Sequence, residues 1–170
     1  MASRRLFSPR AWIAAAAALV LALAVLAALL LRPRMEPLTV ERLNAAKQRW
    51  QARRPADYDM QIVVSGIQKG VHAIKVRDGD VVDMTTGGAE VPKHVWPRWT
   101  VEGLFDFLET ELENARDPAN TYGVADPNQV VLQADFDEAT GYPRRFLRHV
   151  MGRQASVEWE VTEFRPALSD

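Results

Sequence analysis

The chain has 170 residues, 48% of them hydrophobic and 25% charged, with no cysteine and a formal net charge of −1. That length carries one ordinary domain and is too short for two. The lack of cysteine excludes a disulfide scaffold, a thiol enzyme, a Cys-ligated metal centre and a cysteine-anchored lipoprotein, and the charge excludes a strongly basic nucleic-acid binder.

Residues 1–10 form a basic N terminus. Ala11 to Leu31 then runs 21 residues without a charge. At 1.5 Å rise per residue such a run matches the roughly 30 Å hydrocarbon core of a bilayer. Arg4, Arg5 and Arg10 precede it, Arg32 and Arg34 follow it, and Glu36 offsets the second pair. The positive excess on the N-terminal side predicts a cytoplasmic N terminus and a single-pass helix in the inner (plasma) membrane, with Trp12 at the interface. A cleaved signal peptide is the rival reading, with Ala22-Leu23-Ala24 and Val25-Leu26-Ala27 as small-residue sites. Ser3-Arg4-Arg5-Leu6-Phe7 also resembles a twin-arginine export signal. All three readings export the remainder. Residues 32–37 read as a linker stiffened by Pro33 and Pro37, and residues 38–170 as the extracytoplasmic domain. Residues 1–37 carry net +4 and residues 38–170 net −5. The domain is mildly acidic, which argues against nucleic acid or anionic lipid as its partner.

The domain opens with a helix. Thr39 is placed to cap it, Glu41 lies in its first turn, and Val40, Leu43 and Trp50 fall on one stripe before Pro55 ends it. Three strands follow. Tyr58, Met60, Ile62 and Val64 alternate within 57–65; Val71 to Arg77 comes next; Asp78-Gly79 is a two-residue hairpin signal, and Asp80 to Met84 returns. The stretch from Thr85 to Pro97 reads as loop. Thr100 caps a second helix whose apolar face is Val101, Leu104, Phe105, Leu108 and Leu112, ending near Asn114. Residues 116–120 read as polar loop. Three more strands are predicted over 129–136, 142–150 and 156–164, with Pro143 confined to a strand start or an edge. The order is α-β-β-β-α-β-β-β, an α+β fold with an antiparallel sheet and helices packed on one face. Trp99-Thr100-Val101-Glu102-Gly103-Leu104 parallels Leu38-Thr39-Val40-Glu41-Arg42-Leu43. An internal duplication would account for the match; so would two generic helix starts, each with a Thr cap and a hydrophobic staple.

Trp50 and Tyr58 with the alternating strand, then Asp78-Gly79-Asp80-Val81-Val82, Thr100-Val101-Glu102-Gly103-Leu104-Phe105-Asp106, and Asp137 through Gly141-Tyr142-Pro143 make up a pattern. It resembles the bacterial Domain of Unknown Function 6174 family, over roughly Trp50 to Phe164. The resemblance implies a small exported, membrane- or lipid-anchored envelope protein and supplies no activity. Many members carry cysteines and a lipobox that this chain lacks, so a redox or lipoprotein role does not carry over.

Little in the sequence carries chemistry. His72, His94 and His149 have no metal-ligand spacing, and no cofactor is implied. Asp78, Asp80 and Asp83, and Asp135, Asp137 and Glu138, read as solvated hairpin ends, since the spacing of a calcium loop is absent. Ser65-Gly66 lacks a nucleophile elbow, Ser156 has no evident base, and Thr86-Gly87-Gly88 lacks the phosphate-loop spacing. Pro92-Lys93-His94-Val95-Trp96-Pro97-Arg98-Trp99 places aromatics and cations on a Pro-stiffened segment, the composition of a binding surface. His94, Trp96 and Arg98 are therefore candidate binding residues, with Tyr142 and Arg144 as a second group. Structural roles compete: Trp99 as the staple on Leu104, Trp96 as a lid on the core, and Arg144 as a solvated edge residue. The expected function is non-catalytic binding of an envelope partner by a membrane-anchored module. The alternative is a small-ligand binder or minor hydrolase with a pocket between helices and sheet and His94 or His149 as base.

Overall fold

The computed structural model describes residues 35–66 and 69–167. The apolar run Ala11–Leu31, the basic N terminus and the first part of the linker lie outside the described residues, as do residues 67 and 68. Among the described residues no helix is long and apolar enough to cross a membrane. The described residues form one compact unit.

Helix α1 (Val40–Arg53) leads into β1 (Tyr58–Gly66), β2 (Gly70–Arg77), β3 (Asp80–Thr86) and the two-residue β4 (Ala89–Glu90). A 3₁₀ segment, η1 (Lys93–Trp99), precedes α2 (Val101–Asn114), the short α3 (Pro118–Tyr122) and η2 (Pro127–Gln129). Strands β5 (Val130–Phe136), β6 (Pro143–Val150) and β7 (Val157–Pro166) complete the domain. Both long helices start where a threonine can satisfy an orphan N–H: the Thr39 hydroxyl accepts from Arg42 N at 3.3 Å and the Thr100 hydroxyl from Gly103 N at 3.0 Å. Asp78 and Gly79 turn the β2–β3 hairpin at φ +53° and +84°, the pair of positive values that a tight hairpin needs.

The strands form one open antiparallel sheet of seven, in the order β4-β3-β2-β1-β7-β6-β5. Its centre is the β1–β7 pair, with Ile62 opposite Val161 and Val64 opposite Trp159. One face is covered. Leu43, Ala46 and Trp50 of α1 and Val101, Leu104, Phe105 and Leu108 of α2 join the inward residues of the strands in a single core. Alternation explains the split, because Tyr58, Met60, Ile62 and Val64 point to one side and Asp59, Gln61 and Val63 to the other. The other face carries charge pairs such as Lys75–Asp83 at 2.9 Å and Asp135–Arg145.

Three features differ from the sequence expectations. The loop before the second helix is a strand pair and a 3₁₀ segment. Within the polar loop at 116–120 α3 begins, started by Pro118 at its first turn and running on to Tyr122. The end of the linker is part of the sheet: Leu38 N donates to Leu132 O at 2.9 Å, Ala134 N donates to Glu36 O at 3.0 Å, and Pro37 bridges Gln133. The topology also argues against a duplication. The first half reads β3-β2-β1 across the sheet and the second reads β7-β6-β5 in the same sense, while antiparallel pairing of β1 with β7 reverses every strand direction. No rotation that keeps both helices on one face relates two such halves. The matching string is the shared chemistry of two capped helix starts.

Candidate functional site: a groove between the sheet and the second helix

Pro92 and Pro97 fix the backbone angles at either end of η1, and its turns close through Val95 N to Pro92 O at 3.1 Å and Thr100 N to Pro97 O at 3.4 Å. The segment lies directly on α2. A Cβ on Gly103 would overlap the Pro97 carbonyl oxygen and the Arg98 backbone, so only glycine permits this approach. The start of α2 is held from below. Tyr58 accepts from Val101 N at 3.2 Å through its hydroxyl, and Glu102 accepts from Trp50 Nε1 at 2.9 Å. Burial pushes the Tyr58 hydroxyl far above its usual range, so it stays neutral.

η1 thus stands as a ridge with a depression on each side. On the α2 side a groove of about 860 Å³ runs over the end of the sheet where β1 finishes and β7 begins. Trp99, Phe107 and Trp159 form its aromatic walls, with Val64, Val95 and Leu104 between them. Phe107 meets Trp159 edge to face at 6.4 Å and Phe146 at 5.2 Å. Its main polar feature is His72, 9% exposed. The imidazole stacks on Trp99 at 3.9 Å between ring centroids and shares a hydrogen bond of 2.8 Å between Nδ1 and Thr86 Oγ1. Burial lowers its pKa below the ordinary imidazole value, which favours the neutral ring. Arg98 and Asp106 also line the groove, and neither is ion-paired among the described residues. Nor does a carboxylate hydrogen-bond to His72 there, and no group of acidic and imidazole side chains among the described residues could hold a metal ion.

The candidate residues fall into two places. His94, Trp96 and Arg98 all lie on η1, but they face differently. His94 is exposed, and Arg98 lines the groove. Trp96 turns to the β3 side, donates from Nε1 to Val91 O at 2.8 Å and packs on the core. Trp99 is a groove wall stacked on His72. Tyr142 and Arg144 stand at the opposite end of β1 and β7. Tyr142 stacks on Phe164 at 4.3 Å, and burial raises its hydroxyl pKa; Arg144 is exposed. Gly141 (φ +89°) lies against α1, where a Cβ would overlap Ala46 O. His149, on the uncovered face, has its Nδ1 3.1 Å from Ser156 Oγ. Ser156 therefore has an imidazole beside it, contrary to the sequence expectation, but neither residue lines the groove.

His72, Phe107 and Trp159 went unselected in the sequence. A signal was there for His72: it shares its strand alternation with Ile74 and Val76, and so the core face.

A family model described as a family of unknown function, DUF6174, matches residues 42–147. The chain belongs to the DUF6174 family. The match begins in the first turn of α1 and ends in β6, so β7 lies beyond it although β7 sits at the centre of the sheet. No curated protein and no solved structure matches the chain. Within the DUF6174 match, two of the three motif glycines have a packing reason: Gly103 admits η1 onto α2, and Gly141 admits the β5–β6 turn onto α1; Gly79 serves the hairpin turn.

Proposed function

We propose that this DUF6174 protein is a membrane-anchored extracytoplasmic module that binds an envelope protein without catalysis. In this reading Ala11–Leu31 is an uncleaved anchor with its N terminus in the cytoplasm. The observation that carries the binding role is the groove beside η1, walled by three aromatic rings. Rigid aromatic walls with adjacent unpaired charges are what protein recognition uses. Arg98 and Asp106 set the chemistry of the occupant: an apolar segment of the partner carrying one acidic and one basic side chain. A photo-crosslinking residue at Val95 in the full-length protein, in its native membrane, tests this. The expected result is one dominant envelope protein, lost in an Arg98→Glu, Asp106→Arg variant of unchanged melting temperature. A crosslink that survives the charge reversal, or none at all, rejects the groove as the partner site.

A second reading rests on the groove's volume, which lies in the range of small-molecule sites. There the module takes a small amphipathic ligand. Ligand-dependent melting of the full-length protein in nanodiscs, abolished by Val95→Trp, supports it; ligands that stabilise both proteins equally reject it.

A further inference from the structure

The two edges of the sheet are treated differently. Residues 35–38 cover β5 through backbone hydrogen bonds. On the opposite side β4 pairs only with Thr85 and Thr86, and Val91 N adds one bond to Met84 O at 3.3 Å. Outboard of Asp80–Asp83 no strand pairs among the described residues. A register shift leaves Val82 without a partner on β2, and it is 53% exposed, the highest value among the exposed large hydrophobic residues described. The bare main-chain edge is open to pairing with another chain, and the bulge at Val82 with the carboxylates at Asp80 and Asp83 restricts that pairing to a strand that matches them.

Beside this edge, on the η1 side, lie two depressions of about 510 and 440 Å³. Val82 and Val91 line the first and Val81 and Pro97 the second; Lys93 and Trp96 border both. Lys93 Nζ sits 5.5 Å from the Trp96 ring centroid and braces that divider. An added strand presents alternate residues on one face, and on the η1 side those residues meet the two depressions that Trp96 divides. Strand addition of this kind draws affinity from the main chain and specificity from alternate side-chain pockets.

Charge decides the occupant. Asp80 and Glu90 are exposed and unpaired among the described residues, and Asp83 is bonded to Lys75. A second copy presents the same edge, with its own unpaired Asp80 and Glu90, and so adds like charge to like. A strand carrying lysines meets these carboxylates favourably. We propose that the edge of β3 over Asp80–Asp83 binds an extended, lysine-bearing, alternately apolar peptide segment of a partner protein as an added strand. This site is separate from the groove and does not depend on it.

The test uses the full-length protein in lipid nanodiscs and three synthetic probes. One is Lys-Val-Thr-Val-Thr-Val-Lys, the second has glutamate in place of both lysines, and the third is the lysine peptide with its valine nitrogens methylated. The lysine peptide is expected to bind and to slow hydrogen exchange of the Asp80–Asp83 amides. The other two are expected to bind at least about tenfold more weakly. Arg98→Glu, which alters the groove, is expected to leave all three unchanged. The proposal is overturned by equal binding of the methylated peptide, by protection mapping elsewhere, or by no binding of the lysine peptide below about 1 mM. It is overturned equally by concentration-dependent self-association that protects the same amides without peptide.

Discussion

Substituting Arg148 breaks a largely buried ion pair. Arg148 Nη1 donates to Glu111 Oε1 at 2.6 Å, and its Nε donates to Ala155 O at 3.0 Å. Its guanidinium lies 5.1 Å from the Tyr122 ring centroid, and the Tyr122 hydroxyl donates to the second oxygen of Glu111 at 2.9 Å. Burial, reinforced by Glu111, pushes that hydroxyl up to about 12, so it stays a donor. Glu111 is only 4% exposed. Arg148→Met leaves its carboxylate buried with one hydrogen-bond donor and no countercharge. Stranding one partner of a buried pair costs about 3–5 kcal/mol, which for a domain of this size lowers the melting temperature by roughly 10–15 °C. The double variant Glu111→Leu, Arg148→Met removes both charges and is expected within about 1 kcal/mol of the parent. Urea titrations of the full-length protein followed by tryptophan fluorescence give the three values. A loss below about 1 kcal/mol in the single variant, or a double variant no more stable than the single, would refute the view that Glu111 is a desolvated charge.

Gly103→Ala and Gly141→Ala should each destabilise by more than about 1 kcal/mol, since both place a Cβ on a backbone oxygen; melting curves check this, and two silent variants would contradict the close approaches. Thr100→Ala removes a cap bonded at 3.0 Å and should cost about 1 kcal/mol, which Thr100→Ser restores. His72 gives a pH signature. Because its folded-state pKa is depressed, the unfolded chain binds a proton that the folded chain refuses once pH drops below about 6.5. Stability should fall through that range and level out once the folded imidazole is protonated as well. His72→Gln should flatten that part of the curve, and an unaltered slope between about pH 7.5 and 5 would remove His72 as its source.

The local elements were legible because each depends on neighbouring residues. Thr39 and Thr100 marked the helix starts, Asp78-Gly79 the hairpin, and the alternation at Tyr58–Val64 the covered face. What could not be read depends on distant partners. The β1–β7 pairing joins residues about a hundred positions apart, such as Ile62 and Val161, and no local pattern encodes it. η1 looked like a loop because Pro92 and Pro97 disrupt every period. The bridged segment at 35–38 looked like a linker because Glu36-Pro37 has poor strand propensity; its bonds come from β5. Of the candidate site, the aromatic and cationic content of 92–99 stood out, but which residue faced which side did not. That depends on Gly103, which lets η1 lie flat on α2 and so sends Trp96 to one side and Arg98 to the other.

The bridged segment at 35–38 also has a mechanical meaning. Only Arg32-Pro33-Arg34 separates the apolar run from the first residue bonded to the sheet, Met35, whose carbonyl accepts from Gln133 Nε2 at 3.2 Å. Tension carried along the chain from its N-terminal side meets the Glu36–Ala134 and Leu38–Leu132 bonds before it reaches the first turn of α1. Those bonds serve as strain relief, as a clamp does where a cable enters its housing. A pull from that side is met first at the sheet edge, ahead of the core residues Leu43 and Trp50.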